Sequence, residues 1–382
     1  MSLLINFYNQ IGAGPKNISL NFIQNLLGRE DNRTIFIIVP NIEEYVDLES
    51  ENNIQFIKFK RYTNILSKII FRIYLDLIFI PYFISKNNIK SLLAFGNYLI
   101  SPSKIKKIIL LHHPYLVDNE LINRLNFKSK FIEKLKRFVF WLTLKNVDTL
   151  VIQSKYMKKS LIATWGDKVN NTIIPNPISN KFSKQYSQVE IENLINFRFQ
   201  TIKDKITIFY VSRFYPHKNH DFLIELSKLL NENNINHEIL ITIDFHNRET
   251  LNFQKELNDK TSILNIGEID QTELASYYEK SHLFIFPSNS ETFGNPLIEA
   301  MKFALPIIVP DLQYAHSVVE EAGIYYHPTN HEECSKIINS LIIDEKYYSY
   351  KSLESYKQFV NYPEVDEWVN KYFNLLEKKK ND

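Results

Sequence analysis

The chain has 382 residues, with 45 Lys and Arg against 43 Asp and Glu and a net charge of +2. That length suits two domains of ordinary size, each able to bury an ample core, and the balanced charge excludes the bulk electrostatics of a nucleic-acid binder. A single cysteine, Cys334, excludes an internal disulfide framework and suits a reducing compartment.

The apolar run Leu3–Phe7 reads as a first strand. It lacks a basic flank and a small-residue cleavage site, so no signal peptide is expected and the chain is placed in the cytoplasm. A turn, Asn9 to Asn17 with Gly12, Gly14 and Lys16, leads to a helical pattern at Ile18, Phe22, Ile23, Leu26 and Leu27. Glycines between a first strand and a first helix suit a phosphate contact. A dinucleotide oxidoreductase would place a third glycine at 17, where Asn17 stands, which argues against an NAD site.

Further strands are expected over 34–39, 55–59, 92–95, 105–111 and 149–152, with a short one near Ile173. Their alternation with helical stretches predicts a parallel, doubly wound sheet. Residues 65–84 are very apolar. Lys68, Arg72 and Asp76 recur every fourth residue and Pro81 interrupts the run, so an amphipathic helix on the sheet is expected instead of a membrane span. His112 and His113 precede Pro114 at the end of a strand that should open on the ligand-binding edge. Residues 124–145 interleave seven cations with aromatics against Glu133 alone. Two readings stand: a helix lying on an anionic membrane, or a core-facing helix with a solvated lysine face.

Ile173-Ile174-Pro175-Asn176-Pro177 is a stiff, extended linker, and the domain boundary is set near Ile178. Domains are thus expected over 1–178 and 179–360, with 361–382 as a C-terminal helix. In the second domain the strand 206–211 runs into Arg213 and Lys218, two cations on one loop and suited to a diphosphate. Strands follow at 238–243 and 263–266, then the turn Gly267-Glu268-Ile269 and a helix over 271–278. Next comes the run Phe286-Pro-Ser-Asn-Ser-Glu291-Thr-Phe293-Gly294-Asn295-Pro296-Leu297-Ile-Glu299. It reads as strand, polar loop and helix N-terminus, with Asn295 as cap and Pro296 in the first helical position. Free N–H groups there suit an anion, and Gly294 lets the backbone approach it. Two carboxylates beside a phosphate site make sense if they accept hydrogen bonds from hydroxyls on either side of it. The strands 306–309 and 323–326 and a helical region, 347–380, complete the chain. A Lys378-Lys379-Lys380 tail closes it.

The phrase around Glu291 and Glu299, which seven residues separate, resembles the retaining nucleotide-sugar glycosyltransferases of the GT-B fold (glycosyl transferases group 1, family 4-like). Pro287-Ser288, Glu291-Thr-Phe-Gly294, Glu299-Ala-Met301, Pro306 and Asp311 carry the likeness, together with the Arg213–Lys218 pair, although Ser212 stands where glycine is common. The resemblance implies an α/β chain of two Rossmann-like doubly wound domains facing an interdomain cleft, the first domain on the acceptor side and the second holding the donor. It implies transfer of a sugar from a nucleotide-diphospho-sugar to a glycan or lipid-linked glycan, with retention, in bacterial surface polysaccharide biosynthesis. By the same resemblance Arg213 and Lys218 neutralise the leaving diphosphate, Glu291 grips the donor sugar, and Glu299 the ribose. His112, with His113 as the alternative, contacts the sugar. Gly12, Gly14, Gly267, Ile269 and the 293–297 backbone bind the donor, and the last helix returns to the first domain with Trp368 as its anchor. No cofactor is expected, and no metal, since no Asp-x-Asp occurs. A nucleotide-sugar epimerase on the same fold and a non-catalytic partner of polysaccharide assembly remain as competing expectations.

Overall fold

The computed structural model describes residues 2–30, 32–51, 53–182, 184–244, 248–257 and 261–377. The lysine run at 378–380 lies outside them. The chain divides into two compact units, one of Met1–Ser179 with Glu364–Asp382, the other of Asn180–Pro363.

In the first unit seven parallel strands stand in the order β3-β2-β1-β4-β5-β6-β7. They are β1 (Ser2–Asn6), β2 (Ile35–Asn41), β3 (Ile54–Lys60), β4 (Ile89–Phe95), β5 (Lys106–Leu110), β6 (Thr149–Ile152) and β7 (Asn171–Ile173). The register sets Leu4 against Phe36 on one side and Leu92 on the other. Runs of consecutive apolar residues form these strands because helices cover both faces. Alternate side chains go to opposite faces. Leu3, Ile5 and Phe7 join Phe22 of the Ala13–Leu27 helix and Trp368 of the Val365–Glu377 helix. Leu4, Ile38 and Leu92 join Phe71, Leu75 and Phe140 on the other face.

Three expectations for this unit need correction. The first helix starts at Ala13, so Gly12 is its cap residue and Gly14 and Lys16 lie inside its first turns, not in the preceding loop. The Ile65–Tyr74 helix continues through a π-helical turn, Leu75–Phe79, into Ile80–Lys86. Its three charged residues do not share one wet face: Lys68 is exposed, but Asp76 is buried, accepting from Arg72 Nε at 3.0 Å and from the Ile100 N–H at 3.3 Å. The solvent side of this helix is largely apolar, with Ile65, Leu66, Ile69, Ile70 and Ile73 exposed beside Lys68. Residues 124–145 form one helix only from Phe127 to Leu144, because Asn126 caps it by accepting from the Ser129 N–H at 2.9 Å. Among the described residues no helix is long and apolar enough to cross a membrane.

The second unit carries a six-stranded parallel sheet in the order β10-β9-β8-β11-β12-β13. Its strands are β8 (Ile206–Tyr210), β9 (His237–Ile241), β10 (Ile263–Asn265), β11 (Leu283–Ile285), β12 (Ile307–Pro310) and β13 (Gly323–Tyr326). In both sheets the first strand of the unit pairs with the second and the fourth, so each is doubly wound with a switch point beside that strand. Arg198, fully buried, donates to the carbonyls of Tyr278 (2.8 Å), Glu279 (3.1 Å) and Phe303 (2.6 Å). One guanidinium thereby satisfies carbonyls at the C-terminal ends of the Gln271–Lys280 and Asn295–Lys302 helices.

Candidate active site

Ligands of doubly wound sheets sit outside the carboxyl ends of the strands at the switch point. In the second unit that point lies between β8 and β11. The loop after β8 brings Arg213 and Lys218, and the loop after β11 brings Ser288 and Glu291. The two loops are tied together. The Asn289 N–H donates to the His217 carbonyl at 2.7 Å, and Asn219 Nδ2 donates to the Pro287 carbonyl at 3.2 Å. Tyr210 donates to the Lys218 carbonyl at 2.7 Å and Tyr314 to the Ser288 carbonyl at 2.5 Å.

Within this frame Lys218 Nζ stands 2.5 Å from Glu291 Oε1, with 15% and 12% of the two side chains exposed. The Ser288 hydroxyl donates to the same oxygen at 2.8 Å. Glu291 Oε2 has no partner among the described residues, so one carboxylate oxygen is fixed and the other is available to a hydroxyl donor. Lys218 also lies 5.2 Å from the Phe286 ring centroid. Arg213 is bound by Glu268, its Nη2 at 2.6 Å and Nε at 3.1 Å from Oε1. Gly267, with φ +76, sets the turn that presents Glu268.

Glu299 sits within the Asn295–Lys302 helix and is buried. Its Oε2 accepts from the Tyr278 hydroxyl at 2.8 Å. Burial pushes its carboxyl up to about 7, against the opposing pull of that hydrogen bond. The helix start differs from expectation. Gly294 is the cap residue with φ +87, Asn295 occupies the first helical position, and Pro296 follows it. An added Cβ at Gly294 would meet Leu297 Cδ1 at 3.0 Å. Pro296 has no N–H, and that of Leu297 donates to the Gly294 carbonyl at 2.9 Å, which narrows the amides left for an anion. Phe293 is buried edge-on to Tyr362.

In the first unit the loops after β1, β4 and β5 meet at its own switch point. Gln10 Nε2 donates to the Phe95 carbonyl at 2.6 Å, and Asn97 Oδ1 accepts from the His112 N–H at 2.6 Å. His112 Nε2 is buried without a partner, and burial lowers the ring to about 4, so it is neutral at neutral pH. His113 turns instead to Glu133 Oε2 at 2.8 Å. Burial would raise Glu133, but hydrogen bonds from His113 and Lys136 outweigh it and hold the carboxyl low. The two adjacent histidines thus have different occupations.

Sequence reasoning missed Tyr278, Ser288 and Glu268. Tyr278 reaches Glu299 across 21 residues of chain, and no local pattern signals that pair. Glu268 was in view only as part of a turn.

Residues 192–362 match the family model of glycosyl transferases group 1. The O-antigen chain mannosyltransferase RfbU of Salmonella typhimurium is 26% identical over 260 residues, covering 66% of this chain and 67% of that protein. Among solved structures, sucrose-phosphate synthase from Thermosynechococcus elongatus superposes with TM-score 0.75 at 15% identity, covering 98% of both chains. Anabaena HepE, solved with UDP and glucose, gives 0.72 at 14% identity, covering 99% of this chain and 100% of that one. The fold is therefore GT-B, built from two doubly wound α/β units.

Proposed function

From the match of residues 192–362 to the family model of glycosyl transferases group 1, we propose that the chain moves a sugar from a nucleotide-diphospho-sugar to a glycan or lipid-linked glycan of a bacterial surface polysaccharide. The Lys218–Glu291–Ser288 cluster at the switch point of the second sheet carries this reading. In it, Arg213 exchanges Glu268 for the donor diphosphate and grips it with two N–H groups. Lys218 neutralises charge growing on the leaving group, the kind of electrostatic assistance that is usually the largest catalytic contribution. Glu291, held by Lys218 through one oxygen, accepts from donor-sugar hydroxyls with the other. Glu299 accepts from the ribose, and His112, neutral with an unpartnered Nε2, hydrogen-bonds the sugar. Gly267, Ile269 and the backbone at 293–295 line the donor.

Retention at the anomeric carbon belongs to the same proposal, on the resemblance of the Glu291–Glu299 phrase to the retaining glycosyltransferases. So does metal independence, supported by the two cations and the lack of an Asp-x-Asp in the sequence. The O-antigen relative supports a polysaccharide acceptor, and a lipid-linked one places residues 124–145 toward an anionic membrane at the cytoplasmic side.

A donor screen with mass detection on a lipid-linked acceptor pool tests the assignment. Transfer of a sugar from one UDP or GDP donor is expected. Calorimetry that finds no binding of either UDP or GDP would move the chain to the non-catalytic class, and binding without transfer would move it to the epimerases.

A further inference from the structure

In the first unit the loop after β5 is fastened at every carbonyl from Tyr115 to Asp118. Arg137 donates through Nε to the Tyr115 carbonyl at 2.8 Å and through Nη2 to that of Asp118 at 2.9 Å. Trp165 Nε1 donates to the Leu116 carbonyl at 2.8 Å, and the Thr164 hydroxyl donates to that of Val117. At the near end of the loop Asn97, left-handed at φ +65, accepts from the His112 N–H. None of these bonds uses the His113 ring, so holding the loop does not account for it.

His113 has a separate occupation. Its Nε2 faces Glu133 Oε2 at 2.8 Å, while Lys136 Nζ donates to Glu133 Oε1 at 2.6 Å. The Glu133 carboxyl is held low, so it is an ionised acceptor and the ring proton belongs on Nε2. In the neutral ring Nδ1 is then a bare acceptor. It has no partner among the described residues, and the His113 side chain is 27% exposed against 11% for Glu133. A withdrawn carboxylate that sets the tautomer and plane of a part-exposed imidazole leaves the other ring nitrogen aimed and free for a ligand.

The neighbouring groups give the ligand its class. The loops after β1 and β4 bring Asn9, Gln10 and Asn97 to the same edge of the sheet. Asn9 packs over Gly96, where an added Cβ would meet its Cβ and Nδ2 at 3.4 Å. Together with neutral His112 these are uncharged hydrogen-bonding side chains, unlike the cations Arg213 and Lys218 that suit a diphosphate in the second unit. An anion has no proton to give to a bare Nδ1, whereas a sugar hydroxyl does.

We propose that His113 and Glu133 form a hydroxyl-binding site for the acceptor glycan, His113 Nδ1 accepting from an acceptor hydroxyl and Glu133 acting as the positioning residue that fixes the ring. The assignment rests on the sugar-transfer reading above, and it gives His113 an acceptor contact distinct from the donor contact of His112.

Nitrogen-15 labelling of histidine in the full chain reads the tautomer, and His113→Asn identifies the signal by removing it. The parent should carry the His113 proton on Nε2. In Glu133→Gln, Lys136 keeps the amide oxygen, so the amide nitrogen faces His113 Nε2 and the ring proton should move to Nδ1. Transfer is then measured against dilutions of the lipid-linked acceptor pool. Glu133→Gln and His113→Leu should each raise the amount of pool needed for half-maximal transfer at least about tenfold. His113→Asn, whose Oδ1 falls near the place of Nδ1, should recover part of that loss. Melting points and UDP or GDP binding by calorimetry should stay at parent values. The proposal is overturned if the parent proton lies on Nδ1 or if half-saturation is unchanged in both variants. It is equally overturned if nucleotide binding weakens in step, which would return His113 to the donor. A parent that transfers nothing would remove the sugar-transfer reading and this site with it, whereas transfer with unchanged half-saturation would remove this site alone.

Discussion

The Tyr278 hydroxyl donates to Glu299 Oε2 over 2.8 Å, joining two buried side chains on separate helices whose C-terminal carbonyls share the Arg198 guanidinium. Tyr278 stacks on Phe303 at 5.3 Å between centroids, so its ring cannot turn away. Loss of the hydroxyl removes a donor that favours the charged carboxylate. Tyr278→Phe should therefore weaken UDP or GDP binding about tenfold at neutral pH, as a hydrogen bond to a charged group predicts. The pH midpoint of binding should rise with it. Calorimetry across pH reads both, and an unchanged midpoint would make Tyr278 a packing residue only.

Glu299 also predicts a stability profile. Its carboxyl is raised from 4.5 to about 7 in the folded chain, so between those values the native state binds more proton than the unfolded one. Its contribution is full below pH 4.5 and is lost as pH rises through about 7. Melting-point differences between the parent and Glu299→Gln should follow that slope. A difference independent of pH would contradict it.

Arg213 and Glu268 form an ion pair with 42% and 55% of their side chains exposed. Exposed pairs contribute only about 0–1 kcal/mol, so Glu268→Ala should leave the melting point alone. If Glu268 competes with the diphosphate for the guanidinium, the same change should tighten nucleotide binding by a few fold. Weaker binding would mean that Glu268 orients Arg213 for its ligand.

Lys218→Ala and Glu291→Gln should each reduce sugar transfer to background. Because the pair is mostly withdrawn from water, a double-mutant cycle on the free protein should show coupling of about 1–2 kcal/mol in denaturant unfolding. Coupling near zero would make the pair a chance approach.

Trp368 is fully buried against Phe22, with ring centroids 5.3 Å apart. Trp368→Ala should cost about 3–5 kcal/mol in the first unit. Nucleotide binding by the second unit should persist below the melting transition, which separates the two effects.

Much of this architecture was legible because buried parallel strands leave uninterrupted apolar runs. Ile35–Val39 and Leu283–Ile285 admit no other reading once Pro287 and similar breakers bound them. The loop carrying Glu291 was legible for its chemistry, since a carboxylate between a strand end and a capped helix is conspicuous. What could not be read were contacts made across the sheet. Lys68, Arg72 and Asp76 mark one helix face in the sequence, but the burial of Asp76 against the Ile100 N–H, 24 residues on, has no local signal. Asn295 looked like a cap, but Gly294 can adopt a left-handed conformation and starts the helix one residue earlier. Tyr278 carried no local signal at all.

The return of the Val365–Glu377 helix to the first sheet has a consequence for biosynthesis. That sheet and its first helix are made before the Asn180–Pro363 unit, yet the side chains that cover Phe22 and Phe95 are translated only after the whole of it. At ordinary elongation rates the wait is on the order of tens of seconds. The nascent chain therefore carries an unsealed aromatic surface while its downstream neighbour is already able to fold, and premature termination near residue 363 would release a product with that surface permanently bare.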